Sequence, residues 1–142
     1  MRSDILTAKE ELLIVRDLSK ALKTTEREIA QCRADIYALH ATDYSKEKLT
    51  GGTGSDISDK VAKLLDLLEK ANQEWDVLIR AKIDVKRKIS LIDDLVLRAV
   101  LIEYYILGNT WEQVCTNMSY SWRHIHRKHS QALKAYALKN DI

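Results

Sequence analysis

The chain has 142 residues with no proline, four glycines and 31% charged side chains at a net charge of only +2. It is too short for a large catalytic domain and too poor in turn residues for a strand-rich fold, so an all-α chain of one or two small units is expected. The near-neutral average hides an asymmetry: residues 1–97 carry 17 basic and 18 acidic side chains, whereas residues 119–139 hold Arg123, Arg127, Lys128, Lys134 and Lys139 and no acid. A basic end on a neutral body points to a local polyanion contact.

Residues 3–40 show a seven-residue apolar spacing. Ala8, Val15, Leu22, Ile29 and Ile36 form one row, and Leu18, Cys32 and Leu39 form its partner, interrupted by Glu11 and Thr25. Such heptads describe a long amphipathic helix with a coiled-coil seam. The following "ATDYSKEKLTGGTGSDISD" holds three of the four glycines and many Ser, Thr and Asp residues. It predicts a loop over about residues 41–57, with Asp56 or Ser58 capping the next helix. A second heptad helix follows, with Val61, Leu68, Trp75, Lys82 and Ile89 in one row and Leu64, Ala71, Leu78, Val85 and Ile92 in the other. Trp75 is expected in the core. Two helices of roughly 35–38 residues, about 55 Å each, fit an antiparallel hairpin or a dimer that exchanges them.

At Asp93 and Asp94 the heptads give way to the short apolar run "LVLRAVLIEYYIL". The two acids either start a new helix by capping or mark a bend in the long one. Gly108 is expected to end that segment in a left-handed conformation. Thr110 with Gln113 makes a capping-box pattern, so "WEQVCTNM" reads as a helix with Val114, Cys115 and Met118 inside. "SYS" is a tight break in which Ser121 caps the next helix and Tyr120 plugs the core. "WRHIHRKHSQALKAYAL" is that helix, and the three parts make a helix-turn-helix. On a helical wheel Ile125, His129, Ala132 and Tyr136 face inward with Leu133 at the edge. Arg123, Arg127 and Lys134 face outward, with His126 and Ser130 beside them and Trp122 in the exposed first turn. A basic outer face led by an aromatic suits the major groove, where Arg pairs with guanine and Lys holds phosphate.

The segment "LRAVLIEYYILGNTWEQVCTNMSYSWRHIHRKHSQAL" resembles region 4 of bacterial sigma-70-type factors, whose helix-turn-helix reads promoter DNA. The likeness lies in the lead-in to Gly108, the Val114-Cys115 step, the "YS" turn and Ala132-Leu133. The whole chain is similar to sigma-like late-transcription regulators of phages of Gram-positive bacteria, of the RinA, ArpU and LtrC type. Here the likeness rests on "GTGSDISDKVAKL" at residues 52–64 and on the "YS…H..AL" helix. The resemblance implies base contacts from Trp122, Arg123 and Arg127 with His126 beside them, and approach to the phosphate backbone by Thr110 and Trp111. Host RNA polymerase is the implied protein partner, in a bacterial cytoplasm. Ser119 stands where many such motifs have glycine, so a less regular turn is expected. His129 replaces an aliphatic or acidic residue and is expected to pack or hydrogen-bond inside.

Other chemistry finds little support. His124 and His126 point to opposite sides of a helix, and His126 with His129 lacks a third ligand, so no metal or other cofactor is expected. Imidazoles on a DNA face would make affinity pH-dependent. "GGTGSD" lacks the Lys-Ser/Thr of a phosphate loop. Cys115 lies on an inward face, and Cys32 and Cys115 form no C-x-x-C pair, which fits buried, reduced thiols in an intracellular setting. Trp111 either packs against the motif or sits at its edge. The longest apolar stretch is broken by Arg98 and Glu103 and is too short for a bilayer, so a soluble, cytoplasmic chain is expected.

The expected architecture is an all-α chain: a long antiparallel coiled-coil helical hairpin over residues 1–92 and a sigma region 4-like helix-turn-helix over residues 93–142. The expected role is sequence-specific DNA binding in transcription control, by activation of phage late genes with host RNA polymerase, and not catalysis. The DNA contacts are assigned to Thr110, Trp111, Ser121, Trp122, Arg123, His126, Arg127 and Lys134. The alternative is a coiled-coil adaptor whose basic end binds an acidic protein, and a homo-oligomer through the coiled coil is compatible with both.

Overall fold

The computed structural model describes residues 2–45 and 52–142, which are helical apart from short connections and include no strand. In chain order these are α1 (Arg2–Ser45), α2 (Gly52–Ile89), α3 (Leu95–Leu101) running into a π-helical turn (Ile102–Ile106), α4 (Trp111–Met118) and α5 (Trp122–Lys139). Much of the span 41–57, predicted as a loop, is helical instead. Residues 41–45 and 52–57 are helical, and only residues 46–51 of that span lie outside the described residues. Because α2 begins at Gly52, Asp56 and Ser58 lie within the helix and cap nothing. Glycine weakens a helix by about 1 kcal/mol against alanine, an amount that propagation from a long helix overcomes.

Packing divides the chain into two compact units. One is Lys20–Asp76. Here Ile29, Cys32 and Leu67 are buried, with Ile36, Leu64, Leu68 and Ala71 packed against them. The Cys32 thiol donates to the Lys60 carbonyl at 3.3 Å, Lys60 pairs with Asp35 at 3.5 Å, and the Thr25 hydroxyl donates to Glu74 Oε1 at 2.6 Å. Partners that ascend along α1 descend along α2, so the two segments run antiparallel. Thr25, an interruption in the heptad row, is 1% exposed and satisfied by Glu74. That pairing corrects the expectation for Trp75. With Glu74 on the seam, its neighbour is turned outward and is 48% exposed, and Val61 is likewise exposed. The Thr25 hydroxyl also lies 3.2 Å from the Ala21 carbonyl of its own helix, so it is satisfied locally as well as across the seam.

The other unit is Met1–Ser19 with Val77–Ile142. The ends of the two long helices therefore share a core with the C-terminal helices, a division made by packing across both heptad helices and not at residue 92. Ala8, Leu12, Val15, Leu78, Val85, Ile89 and Ile92 are buried here together with Val100, Leu101, Tyr105, Ile125, Ala132 and Tyr136. Glu11, the other interruption in the heptads, pairs with Lys88 and accepts from the Tyr136 hydroxyl at 2.8 Å. The Asn140 amide donates to the Lys88 carbonyl at 3.3 Å, and Lys139 meets Asp93 at 3.1 Å. The question at Asp93 and Asp94 is also answered. α2 ends at Ile89, and Asp94 caps a new helix by accepting from Val96 N at 2.9 Å and Leu97 N at 3.3 Å.

Candidate nucleic-acid interface

Three local devices set α4 and α5. Gly108, at φ 74°, ends the π-helical turn in the left-handed region that favours glycine. Thr110 and Gln113 close the predicted capping box: Gln113 N donates to Thr110 Oγ1 at 3.2 Å, and Thr110 N to Gln113 Oε1 at 2.9 Å. Ser121 caps α5 by accepting from His124 N at 3.2 Å. Between the helices Ser119 sits at φ 59° and ψ 40°, donating its N–H toward the Cys115 and Thr116 carbonyls. The turn is thus regular despite the missing glycine, with serine held in a strained region. Ser119→Gly is expected to raise stability by up to about 1 kcal/mol, the left-handed penalty less the entropy glycine adds to the unfolded chain. Urea unfolding checks this, and a destabilised S119G would show that the turn leans on the serine side chain.

Val100, Val114 and Ile125 are buried together, with Tyr104, Trp111, Cys115, Met118 and Tyr120 packed around them. This seats α5 on α3 and α4 by the predicted inner face: Ile125, Ala132 and Tyr136 are fully buried, and Leu133 is buried with them. His129 is buried as well, and its Nε2 lies 2.7 Å from the Tyr105 hydroxyl. Desolvation by burial pushes the imidazole down to about 4, helped by the positive Lys9 and by His126. The Tyr105 phenol is pushed up, chiefly by burial, and stays protonated. The phenol and the neutral imidazole therefore share one hydrogen bond, whose direction follows the imidazole tautomer.

The predicted contact residues fall into two groups. Arg123, Arg127 and Lys134 are exposed along one side of α5, one and two turns apart, and among the described residues none of them pairs with a carboxylate. Trp122 is 53% exposed in the first turn. The others are already engaged. Thr110 and Ser121 use their oxygens as caps. Trp111 is half-buried, stacked on Tyr104 with ring centroids 4.0 Å apart and planes at 11°, so its ring packs inside the motif. His126 lies between Trp111 at 5.0 Å and Trp122 at 4.6 Å, and its Nε2 is buried with no hydrogen-bond partner among the described residues. His124 leans on Tyr120 at 4.4 Å. The histidines are thus split between core, ring stack and rim, and among the described residues no group of three or more His, Cys, Asp or Glu is placed to hold a metal ion.

The first turn of α5 carries no acid, only Arg123 behind the Ser121 cap. A cation at a helix N-terminus opposes the macrodipole, at a cost of about 0.3–1 kcal/mol. The end of this helix thus concentrates positive potential, where exposed backbone N–H groups and the dipole already attract anions. Sequence reasoning missed Arg16, which reaches from α1 to the connector before α4, and took Glu11 for a mere interruption. A carboxylate recurring in an apolar row is the signal that could have flagged Glu11. Nothing local flags Arg16.

Residues 38–137 match the model of a family described as "Protein of unknown function (DUF1492)". The chain belongs to the DUF1492 family. The span matched by DUF1492 takes in α2 to α4, Trp122, Arg123, Arg127 and Lys134, and leaves out Glu11 and Arg16. No curated protein and no solved structure matches the chain. Among the described residues no helix is long and apolar enough to cross a membrane.

Proposed function

We propose that the chain is a sequence-specific DNA-binding regulator of transcription that works by binding, not by catalysis. In this reading α4, the Ser119–Tyr120–Ser121 turn and α5 act as a helix-turn-helix, and α1 and α2 as a coiled-coil hairpin. α5 enters the major groove, Arg123 and Arg127 read base edges, Lys134 and the α5 N-terminus hold phosphates, and Trp122 packs on the duplex. The observation that carries this is the α5 face. Three exposed cations, without carboxylate partners among the described residues, stand on a helix whose other side is engaged in packing, and one of them opposes the helix dipole. Residues that break a local rule without a structural return mark functional surfaces.

The resemblance to sigma region 4 and to phage late regulators extends the proposal to activation of late genes together with host RNA polymerase in the bacterial cytoplasm. The alternative is an adaptor. Leu65 and Trp75, at 60% and 48% exposure, leave apolar surface on the hairpin for a protein partner.

Duplex affinity measured against salt separates the two. The DNA reading expects a steep fall of log K with log salt, and Arg127→Ala is expected to make the slope shallower by about 0.9 while leaving the thermal midpoint in place. An adaptor would show little duplex binding at physiological salt and no change of slope in R127A. Footprinting on candidate promoter DNA, with and without RNA polymerase, then tests the activator role: no protected site in either condition would exclude it.

A further inference from the structure

We propose that Arg16, on α1, is a positioning residue for DNA recognition, setting Trp122 against the duplex through an unbroken run of aromatic rings. This rests on the duplex reading above and adds to it a residue outside α4 and α5.

At Gly108 the chain leaves the helix. Leu107 N donates to the Ile102 carbonyl at 2.8 Å and Asn109 N to the Glu103 carbonyl at 3.1 Å. The Tyr104 carbonyl is left over, as carbonyls at a helix end are, and needs a donor from elsewhere. Arg16 supplies it: Nη1 donates to the Tyr104 carbonyl at 2.7 Å and to the Asn109 carbonyl at 3.1 Å. One guanidinium thereby ties the chain on both sides of Gly108, the point at which the direction of α4 is decided. The same group lies over the Tyr104 ring, with Cζ 4.0 Å from the centroid.

From Tyr104 the rings continue outward. Trp111, the first residue of α4, stacks on Tyr104 at 4.0 Å; His126 meets Trp111 at 5.0 Å; Trp122 meets His126 at 4.6 Å, edge to face. His126 Nε2 has no hydrogen-bond partner among the described residues, so its orientation is set by these ring contacts. Tyr104 also meets Tyr105 and His129, and Trp111 meets His129 at 4.6 Å, so the inner rings are anchored in the core while the run ends on the exposed Trp122. Nη1 makes both carbonyl bonds while Cζ lies over the ring, so the extended guanidinium meets carbonyls and ring through different atoms, whereas a lysine would have to make all three contacts from one nitrogen. Charge alone is therefore not enough at position 16.

The test is a double-variant cycle on the affinity for a duplex selected from a random-sequence pool, combined with the indole N–H resonance of Trp122 in the free, ¹⁵N-labelled protein. Arg16→Gln is expected to weaken binding about tenfold, Arg16→Lys less, and R16Q added to Trp122→Ala no more than about twofold beyond W122A alone. The Trp122 indole resonance is expected to move in R16K, a variant that keeps the charge and remains usable if R16Q melts before the assay. Losses in R16Q and W122A that simply multiply, or an indole resonance unmoved in R16K, would overturn the proposal. If the wild-type chain binds no duplex, the DNA reading fails instead, and the indole resonance alone still decides whether Arg16 sets Trp122.

Discussion

Ile125→Ala is expected to destabilise the unit that carries α5 by about 2–5 kcal/mol, enough to remove much or all of the stability of a small domain. Ile125 is 0% exposed and packs with Val100 of α3 and Val114 of α4, so truncation leaves a cavity at the point where three helices meet. The surrounding side chains close it poorly, because Tyr104 and Trp111 beside it are committed to stacking on each other. Urea unfolding followed by tryptophan fluorescence checks the expectation, since Trp111 belongs to the same cluster. R127A is expected to leave this transition in place while lowering duplex affinity, so the pair separates seating from contact. A shift in I125A below about 1 kcal/mol would mean that α5 is not held on α3 and α4 through this residue.

Acid is expected to weaken the fold through His129. Burial holds its imidazole down to about 4, against an ordinary value of 6.5. Above pH 6.5 neither the folded nor the unfolded chain carries a proton there, and the residue contributes no pH dependence. As the pH falls from 6.5 toward 4, the unfolded chain binds a proton that the folded chain refuses. Stability therefore declines, by about 3 kcal/mol in all, and this contribution levels off below pH 4. His129→Gln keeps a hydrogen-bond partner for the Tyr105 hydroxyl but removes the titration. Subtracting its unfolding free energy from that of the wild type, pH by pH, isolates the effect. A difference that stays flat between pH 6.5 and 4 would show that His129 is protonated in the folded chain, and hence not buried against Tyr105 as described.

How much of this was legible in advance follows from the range of the forces involved. The caps at Thr110 and Ser121, the left-handed Gly108 and the inner face of α5 were readable, because each depends on neighbours within four residues, whereas at Asp94 the sequence left a cap and a bend both open. The buried heptad row of α1 was readable for the same reason: a period of seven is a local property. Trp75 was misplaced because the side of α2 that meets α1 is fixed by distant partners, among them Thr25, whose hydroxyl donates to Glu74 Oε1 across the seam. Among the predicted contact residues, the exposure of Arg123, Arg127, Lys134 and Trp122 followed from the wheel. The burial of Trp111 against Tyr104 and the covering of His126 by Trp122 did not, since rings choose partners by shape as well as by side of the helix.

The amino-acid sequence by itself determined that the chain is helical, where most of its helices begin and end, and which side of α5 is basic. Only the tertiary structure decided that the N-terminal end of α1 and the C-terminal end of α2 belong to the unit that carries α5. That union is made by Glu11 with Lys88 and Tyr136, and by Arg16 with the Tyr104 and Asn109 carbonyls. These contacts span 77 to 125 positions along the chain. No periodicity carries such information, because an unpaired carbonyl or carboxylate becomes costly only once folding has taken it out of water, and only then does its distant partner acquire a role.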